Sequence, residues 1–253
     1  VMQSVGLFDT VSLEKTSSGI ELTLDEPGLE ADGRNLAWKA AQLMLDTYCL
    51  KGGVRISLEK RIPIAAGLAG GSADAAAVLR GMDELFELHL SEQELCHLGQ
   101  SIGSDVPFCI LGGTMLATGR GEVLKRLPDL PECYVVLAKP PISVSTAWAY
   151  KNYDESGAEF HPDNEKIQQE IAAENLKGVS GLLCNVLESV TIKKYNEISL
   201  LKEKMLEFGA SASLMSGSGP TVFGLVDTKE QAEELATRLE QITSARIIVT
   251  RTV

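Results

Sequence analysis

The stretch R-I-P-I-A-A-G-L-A-G-G-S-A-D-A-A-A-V-L-R-G, Arg61 to Gly81, follows an alternating apolar segment, Val54 to Leu58, that reads as a strand. Pro63 closes that strand, because proline has no N–H to give to a ladder. Three glycines come next, Gly67, Gly70 and Gly71, and then an Ala-rich run, Ala73 to Leu79, with high helix propensity. The order is strand, glycine loop, helix. The three glycines read as left-handed positions whose missing Cβ lets backbone N–H groups come close to a ligand, and Ser72 reads as the helix cap. Unpaired N–H groups and a positive dipole end at such a helix start attract an anion, a phosphate first of all. A glycine turn before a helix also serves plain chain reversal, so the segment carries two readings. The Walker pattern is ruled out, since Ser72-Ala73 follows the last glycine where that pattern needs Lys and then Ser or Thr. The spacing of Gly67, Gly70 and Gly71 does not fit G-x-G-x-x-G either.

On the N-terminal side, Val11 to Leu13 and Ile20 to Leu24 alternate around Thr16-Ser-Ser-Gly19, which predicts a β-hairpin. Asn35 is placed to cap a helix running to Tyr48, with Leu36, Ala40, Leu43 and Met44 on one face, and Lys51-Gly-Gly53 ends it. On the C-terminal side, Ser91-Glu-Gln-Glu94 has the form of a capping box opening a helix through Leu98. Gly103-Ser-Asp-Val-Pro-Phe108 places Asp105 just ahead of an apolar run, where it serves as an N-cap or as a catalytic carboxylate. A strand, Thr114 to Thr118, and a turn, Gly119-Arg-Gly-Glu122, lead to Pro128-Asp-Leu-Pro131, where composition shifts and a domain boundary is expected.

Beyond it, Tyr134 to Ala138 is a continuous apolar strand, and Val144 to Tyr150 starts a helix. Tyr153 to Lys166 reads as a solvated loop, and Asn175 to Val190 and Glu197 to Phe208 as helices. A second glycine loop, Met215 to Gly219, precedes a strand, Thr221 to Val226. Thr228 caps a helix through Ile242, and Ala245 to Val249 closes the chain as a strand. Strands and helices interleave without steady βαβ alternation, which gives α+β as the fold class.

The chain has 253 residues, 44% of them hydrophobic and 23% charged, enough for a sizeable core in one large domain or two small ones. A net charge of −12 argues against nucleic acid and anionic membrane as partners, and leaves a small-molecule ligand held locally. The odd number of cysteines, 5, contains no C-x-x-C pair, which points to reduced thiols and a cytoplasmic setting. No apolar run approaches the ~18 residues a spanning helix needs, and no signal peptide is evident. Oligomeric state is not legible.

The order Pro63-x-x-x-Gly67-Leu68-x-Gly70-Gly71-Ser72-Ala73 resembles the phosphate motif of the GHMP kinases. Further blocks carry the resemblance in the family order. They are Asn35-Leu36, Gly103 to Phe108, Gly119 to Glu122, N-V-L-E-S-V at Asn185 to Val190, and M-S-G-S-G-P-T-V-F-G at Met215 to Gly224. Within the superfamily the pattern is most similar to the members that act on 4-diphosphocytidyl-2-C-methyl-D-erythritol. The resemblance implies a two-domain α+β GHMP kinase fold. Its N-terminal ATP-binding domain would span 1–127, lacking its first strands, and its C-terminal domain 128–253. The implied reaction is ATP-dependent phosphorylation of the substrate's 2-hydroxyl in non-mevalonate isoprenoid synthesis, with ATP and Mg²⁺ as cofactors.

By the same resemblance Asp105 is the catalytic residue. Pro63, Ile64, Ala65, Ala66, Gly67, Leu68, Ala69, Gly70, Gly71, Ser72 and Ala73, with Asn35, bind ATP, and Ser72 is the Mg²⁺ candidate. Tyr150 would stack on the cytosine and Thr146 bind the diphosphate, while Gly217, Ser218 and Gly219 would bind substrate and pack over the phosphate loop, or serve as a tight turn entering a strand. The family opens with a K-I-N-L strand whose lysine takes part in catalysis, and a D-G-Y-H segment. Val1 aligns just after both, so the sequence reads as lacking an N-terminal segment. Two other readings stay open: another GHMP small-molecule kinase, such as one for mevalonate or homoserine, and a non-catalytic nucleotide sensor on the same fold.

Overall fold

The computed structural model describes residues 1–119, 121–156 and 161–253. The chain forms two compact units. The first comprises Val1–Met2, Leu7–Ile64 and Ala69–Arg126; the second comprises Gln3–Gly6, Ala65–Leu68 and Leu127–Val253.

In chain order the elements up to Arg126 are β1 (Met2–Gln3), β2 (Thr10–Thr16), β3 (Gly19–Leu24), α1 (Leu36–Thr47), β4 (Gly53–Glu59), α2 (Gly70–Phe86), α3 (Glu92–Ile102), α4 (Val106–Leu111), β5 (Thr114–Thr118) and β6 (Val123–Arg126). One three-stranded sheet has the order β2-β4-β3 and another the order β1-β5-β6. The expected hairpin of β2 with β3 does not form. β4 lies between them, antiparallel to β2 and parallel to β3, with Gly53 opposite both Thr16 and Gly19. The reason is local. A Cβ on Gly53 would fall far inside contact with the Gly19 carbonyl and 2.6 Å from its nitrogen, and one on Gly52 would stand 2.8 Å from the Thr16 carbonyl. Two consecutive glycines let the incoming strand enter the splayed turn that a hairpin would have closed.

Asn35 caps α1 as expected, its side chain accepting from Ala37 N, and Ser91 forms the capping box of α3. α1 and α2 pack together over the β2-β4-β3 sheet, burying Ala37, Ala40, Met44, Ile56, Leu79 and Met82. Each large side chain among them stabilises the unit by roughly 1.5–3 kcal/mol.

In the second unit follow β7 (Tyr134–Lys139), α5 (Thr146–Ser156), α6 (Asn164–Ala172), α7 (Leu176–Leu182), α8 (Glu188–Lys194), α9 (Asn196–Glu207), β8 (Ala212–Met215), β9 (Val222–Val226), α10 (Lys229–Glu240) and β10 (Arg246–Arg251). Its sheet has the order β10-β7-β9-β8 with every pair antiparallel, and the continuous apolar run Tyr134 to Ala138 is a central strand. α9 and α10 pack on it around Val136, Ile198, Met205, Leu235 and Leu239.

Two further expectations give way. The polar stretch Tyr153 to Lys166 is helical at both described ends, with α6 capped by Asp163, while residues 157–160 of it lie outside the described residues. Asn175 to Val190 is two helices, because Asn185 turns inward between α7 and α8 to bond a distant loop.

Candidate active site

The helix of the strand-to-helix corner begins three residues earlier than the sequence suggests. α2 starts at Gly70, with Ala69 in the cap position at φ 53°, so Ser72 is the third residue inside the helix rather than its cap. The left-handed positions are Ala65, Gly67 and Ala69, whereas Gly70 and Gly71 are helical. Those two glycines serve close packing. A Cβ on Gly70 would meet Ile62 Cγ2 at 3.0 Å, and one on Gly71 would meet Leu36 Cδ1 at 3.5 Å. No side chain caps α2, so the N–H groups of its first turn are left for a ligand, and the helix dipole adds positive potential there. Asn35, expected at the nucleotide, has its amide engaged in capping: Oδ1 accepts from Ala37 N at 2.9 Å and Nδ2 donates to Glu30 O at 3.0 Å.

The loop from Gly103 to Asp105 abuts this corner. A Cβ on Gly103 would stand 4.0 Å from Ser72 Oγ. Asp105 occupies the cap position of α4, yet its side chain makes no capping bond. Half-buried, and without a hydrogen-bond donor among the described residues, its carboxyl is pushed above the usual range by desolvation. The turn after β5 lies alongside, with a Cβ on Gly121 placed 3.9 Å from Asp105 Oδ1. Arg120 of that turn lies outside the described residues. Burial pushes the Cys109 thiol, one helical turn beyond Asp105, up to about 12, with the Asp105 and Asp74 carboxylates adding to the shift.

In the second unit the segment Ala65 to Leu68 is joined to the second glycine loop. Ser216 Oγ donates to Gly67 O at 2.8 Å, and Thr221 N donates to Ala66 O at 3.3 Å. Gly67 has to be glycine twice over: its φ is +73°, and a Cβ would lie far inside contact with the Ser216 carbonyl and 3.0 Å from that of Gly219. Gly217 and Gly219 also have positive φ, at 54° and 84°. The same loop meets α5, where Thr146 Oγ1 and the buried Ser218 Oγ share a hydrogen bond of 3.0 Å. Tyr150, one turn along α5, is 55% exposed. Four of the residues expected at the substrate, Thr146, Gly217, Ser218 and Gly219, are thus brought together, and Tyr150 shares the helix of the first.

The description "GHMP kinases N terminal domain" matches residues 35–113, and "GHMP kinases C terminal" matches residues 164–243. The chain belongs to the GHMP kinases. A 4-diphosphocytidyl-2-C-methyl-D-erythritol kinase of Acetivibrio thermocellus is 48% identical over 232 residues, 92% of this chain and 82% of the relative. One of Macrococcus caseolyticus is 50% identical over 241 residues, 95% of this chain and 85% of the relative. Among solved structures, a 4-(cytidine 5'-diphospho)-2C-methyl-D-erythritol kinase superposes with TM-score 0.82 at 34% identity, covering 98% of this chain and 88% of the other. A homoserine kinase from Cytophaga hutchinsonii, at 19% identity and TM-score 0.78, shares the fold.

Sequence reasoning missed one charged cluster of this GHMP kinase, directly beside the strand-to-helix corner. Lys60 Nζ bonds both Asp9 Oδ2 and Asp74 Oδ2, and all three side chains are at most 4% exposed. Asp9 also accepts from Arg61 N and Ile62 N, and these bonds outweigh burial to hold its carboxyl below the usual range. Asp74 Oδ2 is paired with Lys60, its Oδ1 has no partner among the described residues, and burial together with the Asp9 carboxylate pushes it up to about 6. The cluster joins the start of β2, the end of β4 and the second turn of α2. Asp9 and Lys60 are 51 residues apart, so no local pattern announces the pair.

Among the described residues of this kinase no cluster of three or more His, Cys, Asp or Glu is placed to hold a metal ion. No described helix is long and apolar enough to cross a membrane, and all five cysteines are free.

Proposed function

We propose that this GHMP kinase transfers the γ-phosphoryl group of ATP to the 2-hydroxyl of 4-diphosphocytidyl-2-C-methyl-D-erythritol, in the cytoplasm, as a step of non-mevalonate isoprenoid precursor synthesis. The observation that carries the chemistry is Asp105, a carboxylate with a raised pKa and no donor among the described residues, on a loop that abuts Ser72 in the first turn of α2. The substrate rests on the kinases of that name that are 48% and 50% identical to this chain.

In this reading residues 1–127 bind ATP. The glycine corner from Pro63 to Ala73 encloses the phosphates, and the free N–H groups at the start of α2 take the anionic oxygens. A hydroxyl is a poor nucleophile until its proton has somewhere to go. Asp105 accepts that proton as the oxygen attacks, and a carboxyl raised by burial holds it better than an exposed one. In a loose transition state, positioning and charge stabilisation supply most of the acceleration. Residues 128–253 hold the cytidyl diphosphate, with Tyr150 stacking on the base and Thr146, Gly217, Ser218 and Gly219 around the diphosphate.

The donors present suit Mg²⁺. Ser72 Oγ, a hard oxygen donor in the first turn of α2, has no partner among the described residues. Ser72 Oγ would hold the ion, which would supply neutralisation of the phosphate charge.

The test is phosphotransfer by the purified protein with ATP, Mg²⁺ and a panel of cytidyl diphosphate substrate, mevalonate and homoserine, followed by ³¹P NMR. A new phosphomonoester resonance with the cytidyl substrate alone is expected. Transfer to mevalonate or homoserine instead, or Asp105→Asn turning over like the wild type, would overturn the reading.

A further inference from the structure

The block Asn185 to Val190 has no role so far, and its side chains close on the second glycine loop. Asn185 stands just ahead of α8. Its Nδ2 donates to Met215 O and to Gly217 O, each at 2.7 Å, while its Oδ1 accepts from Leu187 N at 3.0 Å. Only the nitrogen end of an amide can face two carbonyls, so these partners fix which way round the side chain lies. Glu188 completes the hold: Oε1 accepts from Met215 N at 2.8 Å, and Oε2 is paired with Lys202. Met215 is therefore gripped at both its N–H and its carbonyl.

What the grip does is visible in the loop that follows. Ser216 N donates to Thr221 O and Gly219 N to Ser216 O, both at 2.8 Å, which closes the turn on itself. With the Met215 and Gly217 carbonyls drawn toward α8, the N–H groups of Gly217 and Ser218 have no acceptor among the described residues. Adjacent free N–H groups in a turn attract an anionic oxygen. Ser218, 7% exposed, keeps its hydroxyl on that of Thr146 at 3.0 Å.

We propose that Asn185 is a positioning residue for the substrate diphosphate: by holding two loop carbonyls against α8, it keeps the Gly217 and Ser218 N–H groups and the Ser218–Thr146 hydroxyl pair turned to the substrate. The inference rests on the reading that these residues take the diphosphate. It predicts that damage at Asn185 is felt by one substrate and not the other. The segment Ala66–Gly67 is held by Thr221 N and Ser216 Oγ, neither of which bonds Asn185.

The test is steady-state kinetics on Asn185→Ala and Asn185→Asp with both substrates varied, alongside thermal melts. Alanine removes two donors, and aspartate sets a carboxylate against two carbonyl oxygens. The KM for the cytidyl diphosphate substrate should rise about tenfold for Ala and about a hundredfold for Asp, with the ATP KM and kcat within about threefold of wild type. Asn185→Ser, which keeps one donor, should fall between wild type and Ala and serves as the graded variant if Asp does not fold. Calorimetric titration of CDP into the folded variants should give the same order. Unchanged KM values, or equal losses for both substrates in step with the folded fraction, would overturn the inference while wild-type turnover stands. A wild type that acts on mevalonate or homoserine instead would overturn the substrate reading, and the inference with it.

Discussion

Gly67→Ala is the most informative single substitution in the corner that binds phosphate in this reading. Its cost follows from two separate features. At φ +73° an L residue is strained by roughly 1–2 kcal/mol. The new Cβ would also press into the Ser216 carbonyl and stand 3.0 Å from that of Gly219, and both are backbone atoms that cannot swing aside. The two loops must part, losing the 2.8 Å bond from Ser216 Oγ to Gly67 O and the 3.3 Å bond from Thr221 N to Ala66 O. At about 1 kcal/mol each, these bring the total to about 3–4 kcal/mol. Gly70→Ala is the control. Gly70 is helical, its Cβ would meet only the Ile62 side chain at 3.0 Å, and alanine gains up to about 1 kcal/mol in helix propensity. Urea unfolding and calorimetric ATP binding should therefore separate the two, with Gly67→Ala losing most of its nucleotide affinity and Gly70→Ala staying within about 1 kcal/mol of wild type. Equal losses for the pair, or wild-type ATP affinity in Gly67→Ala, would refute the argument that backbone approach, rather than glycine content, sets this loop.

Asp105→Asn should keep ATP binding while kcat falls about 10²–10⁴-fold; an unchanged kcat removes Asp105 from the proton transfer. Because burial raises its pKa and the base works deprotonated, wild-type kcat/KM should fall as pH drops through a midpoint above the ordinary aspartate range. A pH–rate profile with its acid limb at or below that range would contradict this. Tyr150→Ala should raise the KM of the cytidyl substrate about ten- to a hundredfold, as loss of ~1–3 kcal/mol of stacking requires, with the ATP KM little moved; equal shifts would exclude stacking. With its thiol pushed up to about 12, Cys109 should resist iodoacetamide at pH 8 in the folded protein, while exposed Cys49 is alkylated; mass-mapped labelling of Cys109 at the rate of Cys49 would show that its burial is wrong.

What the sequence disclosed were features set by neighbours along the chain. Asn35 and Ser91 cap their helices because their partners are two and three residues away, and the strand before Pro63 shows in its alternation. Several features that depend on distant atoms were not legible. Thr16-Ser-Ser-Gly19 has the composition of a hairpin turn, and only the entry of Gly52 and Gly53 from the end of another segment splits it. Gly70 and Gly71 carry the same letters as a left-handed turn, yet both are helical, and positive φ falls on Ala65, Gly67 and Ala69. Thr146 and Ser218 meet across 72 residues, and only the family resemblance put them on one site.

Three aspartates of the first unit, Asp9, Asp74 and Asp105, show why one of them is the better base. Asp9 receives Lys60 and two backbone N–H groups; its charge is satisfied, its pKa is lowered, and a proton would weaken the bonds that hold it. Asp74 shares that ammonium, has one oxygen with no partner among the described residues, and is pushed up to about 6 in a site where it is 3% exposed, so no hydroxyl of a bound substrate reaches it without displacing the cluster. Asp105 alone combines a raised pKa with an open position: half-buried, no donor among the described residues, and no capping bond to its own helix. A carboxylate that must take a proton from an alcohol during phosphoryl transfer has to meet it with a lone pair free, and the number of donors already in place decides which aspartate can.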